Sequence, residues 1–405
     1  SSLPTDIPRG HWAKTTFRIQ HLSSLTKERR TARYQKYREA DPNCQFQENY
    51  EHLLNKPRNL QTWPDRVPGE TILVSPERHD RMRSHIFENE SVYREKLNPH
   101  RPTLSVIVIS QNDRERIQEV MDAIVRQKLD RSYEIIFVNS GTDGTAAFVK
   151  ERYPDVRVIH LPEPAFPGKA RNAGLQFATG DYVTFPGSHI VLPPDSLQHR
   201  LNAHEKGYAM VTGTVVNGTR SWAGWASYFL DHWVLLPGRP TTQLESAPTR
   251  CSYMMGPLKA IGGFPEDRRV GEDTVVNNRL FALGHRAYFS SKIMDIHKSP
   301  CKNPLLLIRH HYMRGRGFGR LLWEYPGPQK TRRFRLRRIK WLLTRYPVKR
   351  MFNMFNGVGR WGRPIWGYYL LSFPLILAGT MSAALGGVTF LLKPENQIAK
   401  SRNPK

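Results

Sequence analysis

Between Leu104 and Phe185 the sequence alternates apolar runs of strand length with amphipathic runs of helix length, which restricts the chain to few folds. Leu104-Ser105-Val106-Ile107-Val108-Ile109-Ser110 is almost continuously apolar, as a strand covered on both faces requires. Ile117, Val120, Met121, Ile124 and Val125 then recur at the i, i+3, i+4, i+7, i+8 spacing, which predicts a helix between Arg114 and Gln127. Tyr133 to Val138, Val156 to Leu161 and Asp181 to Phe185 read as further strands, with helices predicted over Ala146 to Tyr153 and Pro167 to Thr179. Strands separated by helices at this spacing imply right-handed crossovers and a mostly parallel sheet, so the expected fold class is α/β.

Ligands of such sheets bind beyond the carboxyl ends of the strands, beside a reversal of strand order. The turns at those ends hold Ser110, Gln111 and Asn112, then Asn139 and Ser140, then Gly187, Ser188 and His189. Singly these are ordinary turn residues; the signal is their joint placement on one rim. Further along, Gly271-Glu272-Asp273 follows Gly262-Gly263-Phe264 and precedes a helical run from Val275 to Leu283. An acidic pair there either caps a helix N-terminus, where acids are favoured, or presents one carboxylate into a cleft as a general base.

Four stretches in this order resemble a family 2 glycosyltransferase with the nucleotide-sugar-binding, Rossmann-like GT-A fold: Leu104 to Asn112 with Glu134 to Thr145, Pro167 to Gly174, Thr179 to Pro194, and Gly262-Gly263-Phe264 with Gly271-Glu272-Asp273. The resemblance covers residues 103 to about 300. It implies a nucleotide-diphosphate-sugar donor and an inverting mechanism. By position, Asp273 would take the proton of the acceptor hydroxyl and Glu272 would help orient it. Ser110, Asn112, Asn139, Ser140, Lys169, Arg171, Asn172, Ser188 and His189 would lie at the donor. The sequence departs from the family pattern twice. Gly187-Ser188-His189 stands where relatives carry a metal-binding Asp-x-Asp, and Asn139-Ser140 where many carry two aspartates.

Two options for the diphosphate follow. His189, with His297, could ligate a divalent metal, and imidazole suits Mn²⁺ better than Mg²⁺. Alternatively no metal is used, and Lys169, His297, Lys298 and basic groups such as Arg314 and Arg316 neutralise the charge. His311-Tyr312-Met313-Arg314-Gly315 replaces the Gln-x-x-Arg-Trp of processive relatives, so the resemblance implies single additions, in polysaccharide or glycoconjugate biosynthesis. Trp222, Trp225, Tyr228, Phe229, Trp233 and Tyr253 crowd the segment 221–255; aromatic faces stack on sugars, although packing is the commoner use.

The net charge of +26 at pH 7 is concentrated around Lys27 to Arg38 and from Lys330 to Arg363, the latter without an Asp or Glu. Phe334, Leu336, Ile339, Trp341, Met351, Phe352 and Phe355 interleave with the second tract, a pattern suited to an anionic membrane surface. Ile365 to Leu392 then holds no charged side chain and is long enough to cross a bilayer. Pro374, Gly379, Gly386 and Gly387 could instead break it into a re-entrant hairpin or two interfacial helices. Nucleic acid would also bind a basic surface, but no nucleic-acid-binding motif is present and the tract runs into a lipid-compatible segment, so nucleic acid is not an expected partner. Three scattered cysteines fit a reducing compartment rather than a disulfide framework or zinc cage.

The expected organisation is an extension (1–100), a GT-A domain (101–300), a basic juxtamembrane region (301–363), a hydrophobic membrane segment (364–393) and a polar tail (394–405). The expected partners are a nucleotide sugar, a lipid-linked saccharide acceptor and an anionic membrane, at its cytoplasmic face, with a homo-oligomer or biosynthetic complex compatible. The competing readings are a non-catalytic sugar-nucleotide or glycan-binding scaffold, and a nucleotidyltransferase. The latter would want a Gly-rich loop where Ser110-Gln111-Asn112-Asp113 stands.

Overall fold

The computed structural model describes residues 31, 34, 35, 102–325 and 331–394. The elements named below belong to the unit Glu88–Lys405; the extension and the basic stretch near Lys27 fall almost wholly outside the described residues.

Strand β1 (Leu104–Ser110) is followed by helix α1 (Ile117–Val125), β2 (Tyr133–Asn139), α2 (Thr145–Arg152), β3 (Arg157–His160), α3 (Pro167–Leu175) and β4 (Tyr182–Thr184). β1 pairs in parallel with both β2 and β4, and β2 with β3. Leu104, Val106 and Val108 pack toward α1, and Ile107 toward α3, each at 0% exposure. This burial on both faces is why the run is unbroken in apolar character. The chain winds outward from β1 through β2 to β3, then returns to place β4 on the other side of β1. That reversal opens a crevice at the carboxyl ends of β1 and β4.

Beyond β4 the sheet is mixed. β5 (Ile190–Val191), α4 (Ser196–His204), β6 (Met210–Asn217), α5 (Trp222–His232), β7 (Thr242–Leu244), β8 (Ser252–Met254), α6 (Met255–Ala260), α7 (Glu272–Ala282) and β9 (Ala287–His297) complete it. The order is β3-β2-β1-β4-β8-β6-β9-β5, with β7 on β9. β8 runs antiparallel to β4 and to β6, while β6 and β9 are parallel. The parallel character expected from the first half therefore does not extend through β8, β5 and β7.

The basic tract forms two helices rather than one, α9 (Arg332–Leu343) and α10 (Arg345–Trp361), behind the long α8 (Pro304–Glu324). The uncharged segment is a single helix, α11 (Trp366–Leu392), continuous through Pro374. Its glycines mark close approaches instead of breaks: Gly379 meets Leu230, and Gly386 lies under the Tyr312 carbonyl. Opposite them on α8, a Cβ on Gly315 would sit 2.0 Å from the carbonyl oxygen of Ala383.

Gly315→Ala gains about 1 kcal/mol of helix propensity, but overpacking against a backbone atom costs about 1–3 kcal/mol, with the upper end expected at 2.0 Å. The expected outcome is net destabilisation, read as a lower urea midpoint with an unchanged slope.

Candidate functional site

At the crevice, the loops after β1 and β2 are sewn together. Asn112 adopts a left-handed φ of 57°, and its Oδ1 accepts from the Thr142 N–H at 2.9 Å. The Ser110 carbonyl accepts from the Ser140 N–H at 3.0 Å, and its hydroxyl donates to Asp113 at 3.1 Å. Asn139 donates from Nδ2 to the Gly141 carbonyl at 2.9 Å. Its Oδ1 is buried without a protein partner. Ser110, Asn112, Asn139 and Ser140 thus lie together on one rim of the sheet.

The acidic pair forms the first turn of α7, after Gly271 at a left-handed φ of 87°. The two carboxylates differ in environment. Glu272 is buried and accepts from Arg171 at 2.8 Å. Burial raises the Glu272 carboxyl, Arg171 pulls it back down, the Asp273 charge pushes it up again, and the net direction is upward. Asp273 is half-buried, with Oδ1 accepting from the Thr274 N–H at 2.7 Å. The pair thus stands at a helix start, where acids are favoured, with Asp273 Oδ1 engaged by its own first turn.

Lys169, Arg171 and Asn172 share one helix but have different destinations. Lys169 is exposed. Arg171 holds Glu272 and lies 5.0 Å over Phe264. Asn172 closes the turn before α7, donating to the Phe264 carbonyl at 2.8 Å and accepting from the Phe264 N–H at 2.9 Å. A Cβ on Gly263 (φ 71°) would lie 2.6 Å from the Asn172 Oδ1, which explains the glycine. The loop is clamped again from α8, where Arg320 reaches Asp267 and Arg268 reaches Glu324 at 2.8 Å.

The third group is a histidine cluster. β5 pairs with β9 so that Ile190 faces His297, which brings His189 and His297 to 5.0 Å between ring centroids. His232, at the end of α5, lies 4.6 Å from His297. Ser188, beside His189, is buried. Gly187 supports the His189 ring, its hypothetical Cβ only 3.0 Å from Cε1. Burial first, and nearby Arg250 among other charges, hold these rings neutral: His189 is pushed down to about 4, and His232 and His297 are held well below the ordinary imidazole range. Both ring nitrogens of His232, Nδ1 of His297 and Nε of Arg250 are buried without a protein partner. Arg250 has a left-handed φ of 57°, an unfavourable conformation for a non-glycine residue.

The rings meet edge to face instead of converging on a point. Among the described residues no group of three or more His, Cys, Asp or Glu is arranged to hold a metal ion. His189 and His297 come together as expected, yet the arrangement does not complete a metal centre.

Arg314 on α8 lies 3.1 Å from Asp231, whose side chain is 5% exposed. The charges of Asp273 and Glu272 bear on it too. Arg316, two residues on, cannot share that face, and its backbone lies against Gly386 of α11. The Lys298 ammonium pairs with Glu119 on α1, while its N–H donates to the His189 carbonyl at 2.9 Å. Sequence reasoning missed Asp231, His232 and Arg250. Each carries no local pattern, and only the strand order β8-β6-β9 gathers them. The aromatic segment serves mainly packing: Tyr228, Phe229 and Tyr253 are buried, and Trp225 stacks on Tyr368 at 4.1 Å.

Residues 105–256 match the family model described as Glycosyl transferase family 2. The matched residues run from β1 through β8. Among similar proteins are the uncharacterized glycosyltransferase EpsJ of Bacillus subtilis (strain 168), 36% identical over 88 residues, 21% of this chain and 25% of that one. The uncharacterized glycosyltransferase YibD of Escherichia coli (strain K12) is 37% identical over 86 residues, 20% and 24% of the two chains. The chain thus spans about a quarter of the length of these relatives. Similar solved structures include the mannosyltransferase PcManGT from Pyrobaculum calidifontis in complex with GDP-Man and Mn²⁺, at 19% identity and TM-score 0.47, covering 73% of this chain and 88% of that one. S. aureus TarS 1-349 in complex with UDP matches at 16% identity and TM-score 0.40, covering 70% and 90%.

Two histidines deeper in the fold set an acid limit. His204 bonds the Tyr208 carbonyl and the Ser252 hydroxyl, both at 2.8 Å, and His311 lies beside Asp231. Burial pushes each down to about 3. The unfolded chain takes up these protons near pH ~6.5 whereas the folded chain does not, so stability falls as pH drops from about 6.5 toward 3, by at most about 1.4 kcal/mol per pH unit per group. The melting temperature is expected to decline over pH 7 to 5, and His204→Gln to make that decline shallower by one proton.

Proposed function

We propose that the protein is an inverting glycosyltransferase that moves a sugar, a hexosyl or related group, from a nucleotide-diphosphate donor to a hydroxyl of a membrane-presented, lipid-linked saccharide acceptor at the cytoplasmic face. The observation that carries this reading is the pair of unlike carboxylates at the start of α7, Glu272 buried on Arg171 and Asp273 half-buried, with the Asp273 charge acting on the buried Arg250. The nucleoside would lie over Asn139 and Ser140, with Asn139 Oδ1 accepting from the base. The diphosphate would run toward Ser188 and the histidine cluster, within reach of Arg250, Arg314 and Lys169.

Asp273 takes the proton of the acceptor hydroxyl. That oxygen forms a bond to the anomeric carbon as the bond from that carbon to the diphosphate breaks, the electron pair leaving with the diphosphate. Glu272, fixed by Arg171, orients the turn that carries the base. Charge develops on the leaving group, and preorganised cations stabilise it without reorganisation. Arg250 and Arg314 take this electrostatic role, since among the described residues no three His, Cys, Asp or Glu groups are arranged to hold a metal ion.

Asp273→Asn keeps an oxygen to accept from the Thr274 N–H, so the fold should persist while turnover falls by about 10²–10⁴. Arg250→Met should lower kcat by about 10²–10³, as loss of one preorganised donor does. Donor turnover by the full chain across a nucleotide-sugar panel, with and without chelator, tests both. Unchanged turnover in Asp273→Asn would remove the base, and loss of activity on chelation would make His189 and His297 metal ligands. Donor binding without turnover by any acceptor would favour the scaffold reading, which the absent Asp-x-Asp carboxylates motivate.

A further inference from the structure

Helix α11 carries no charge over 27 residues, about 40 Å at 1.5 Å per residue, and is therefore long enough to cross the ~30 Å core of a bilayer. Its packing argues against a crossing. Along its inner side it is held from one end to the other: the Trp222 indole N–H donates to the Leu371 carbonyl at 2.8 Å, Gly379 abuts Leu230 and His311, the Ser382 hydroxyl donates to the Ile308 carbonyl at 2.7 Å, and Tyr312 donates to Thr389 at 3.1 Å. The partners, α5 and α8, are part of the transferase unit and carry Asp231, Arg314, Arg316 and Arg320. A transmembrane α11 would draw these helices and their charges into hydrocarbon, which is unfavourable for each charge even on the most lenient insertion scale.

The outer side is open. Leu370, Phe373, Leu377, Met381, Leu385 and Leu392 are each at least 38% exposed and follow a spacing of three, four or seven residues, a single stripe. Helix α10 continues this surface, since Phe355 lies 5.2 Å from Trp366, one turn before Leu370. Further along its exposed side, Phe352 (63%) and Val348 (70%) alternate with exposed Arg345, Lys349 and Arg360. On α9, Arg332, Arg333, Arg337 and Lys340 surround the exposed Leu336.

We infer that the open faces of α10 and α11, with basic α9 beside them, are a binding surface for an anionic bilayer on which the protein lies without crossing, α11 in the plane of the interface. Apolar side chains projecting from a field of Arg and Lys match the boundary between acyl chains and anionic headgroups. A second copy is the poorer occupant, because two such faces would oppose like charges with no Asp or Glu between residues 330 and 394 to relieve them. The inference rests on the membrane reading above only in its choice of partner, and it stands apart from the chemistry.

Flotation of the full chain with phosphatidylcholine vesicles, with and without phosphatidylglycerol, tests the partner. Binding should require the anionic lipid and weaken with salt. Phe352→Glu/Leu377→Glu should reduce the floating fraction at least about tenfold, while Arg345→Gln should reduce it about fivefold at low salt. Circular dichroism melting and donor turnover with a detergent-dispersed acceptor should match wild type in both, so a transferase failure and a membrane failure are separable. Topology is read with Cys44 replaced by Ser and single cysteines at Gly367, where a Cβ meets nothing within 4 Å, or at exposed Lys393. In sealed membrane vesicles an impermeant maleimide should label both positions from the same side. Labelling from opposite sides would establish a span and overturn the inference. Absence of flotation, or a salt-stable dimer abolished by Phe352→Glu/Leu377→Glu, would overturn it as well.

Discussion

Asp231 has 5% of its side chain exposed, and a carboxylate so placed is tolerable only with its charge compensated. Burial alone would raise its pKa; Arg314, then His311 and His310, outweigh that and hold it well below the usual carboxylate range. The pair joins α5, whose last residue His232 belongs to the crevice, to α8, against which α11 packs. The candidate site and the C-terminal helices therefore share one electrostatic link. Loss of Arg314 would remove the largest of these compensating groups from the buried carboxylate and loosen the face on which α11 rests.

The crevice is organised as two sides of unlike chemistry around the β1–β4 reversal. On one side the loops after β1 and β2 offer neutral amide and hydroxyl groups, with Asn139 Oδ1 unpartnered. On the other, Arg250 and Arg314 stand among neutral imidazoles, and the carboxylates of α7 complete the rim. Neutral rings do not repel the arginines, and their unpartnered nitrogens remain available to hydrogen-bond a polar ligand. Asp231 holds Arg314 by an ion pair, and the fold buries Arg250, so both cations are placed before any ligand arrives.

Much of this was legible from local pattern. The strands and helices from Leu104 to Thr184 appear where periodicity placed them, because both faces of β1 and the inner face of α1 are dictated by burial. The rim residues Ser110, Asn112, Asn139 and Ser140 followed from the same logic, since each is a turn residue at a strand's carboxyl end. Lys169, Arg171 and Asn172 were recognised as a group but not by destination; one side chain is exposed, one holds Glu272 and one closes a turn. Arg250, Asp231 and His232 carry no spacing signal and become neighbours through strand order.

The sequence by itself determined the α/β class, the positions of the loops that form the crevice, and the placement of an acidic pair at a helix start. Periodicity and turn chemistry act over a few residues, which is the range at which these features are decided. Tertiary structure alone decided which charges face one another, how the histidine rings are oriented, and what α11 packs against. Hydropathy cannot say what a helix packs against; the Gly315–Ala383 and Gly386–Tyr312 approaches seat α11 on α8, because backbones come so close only where one partner lacks a side chain.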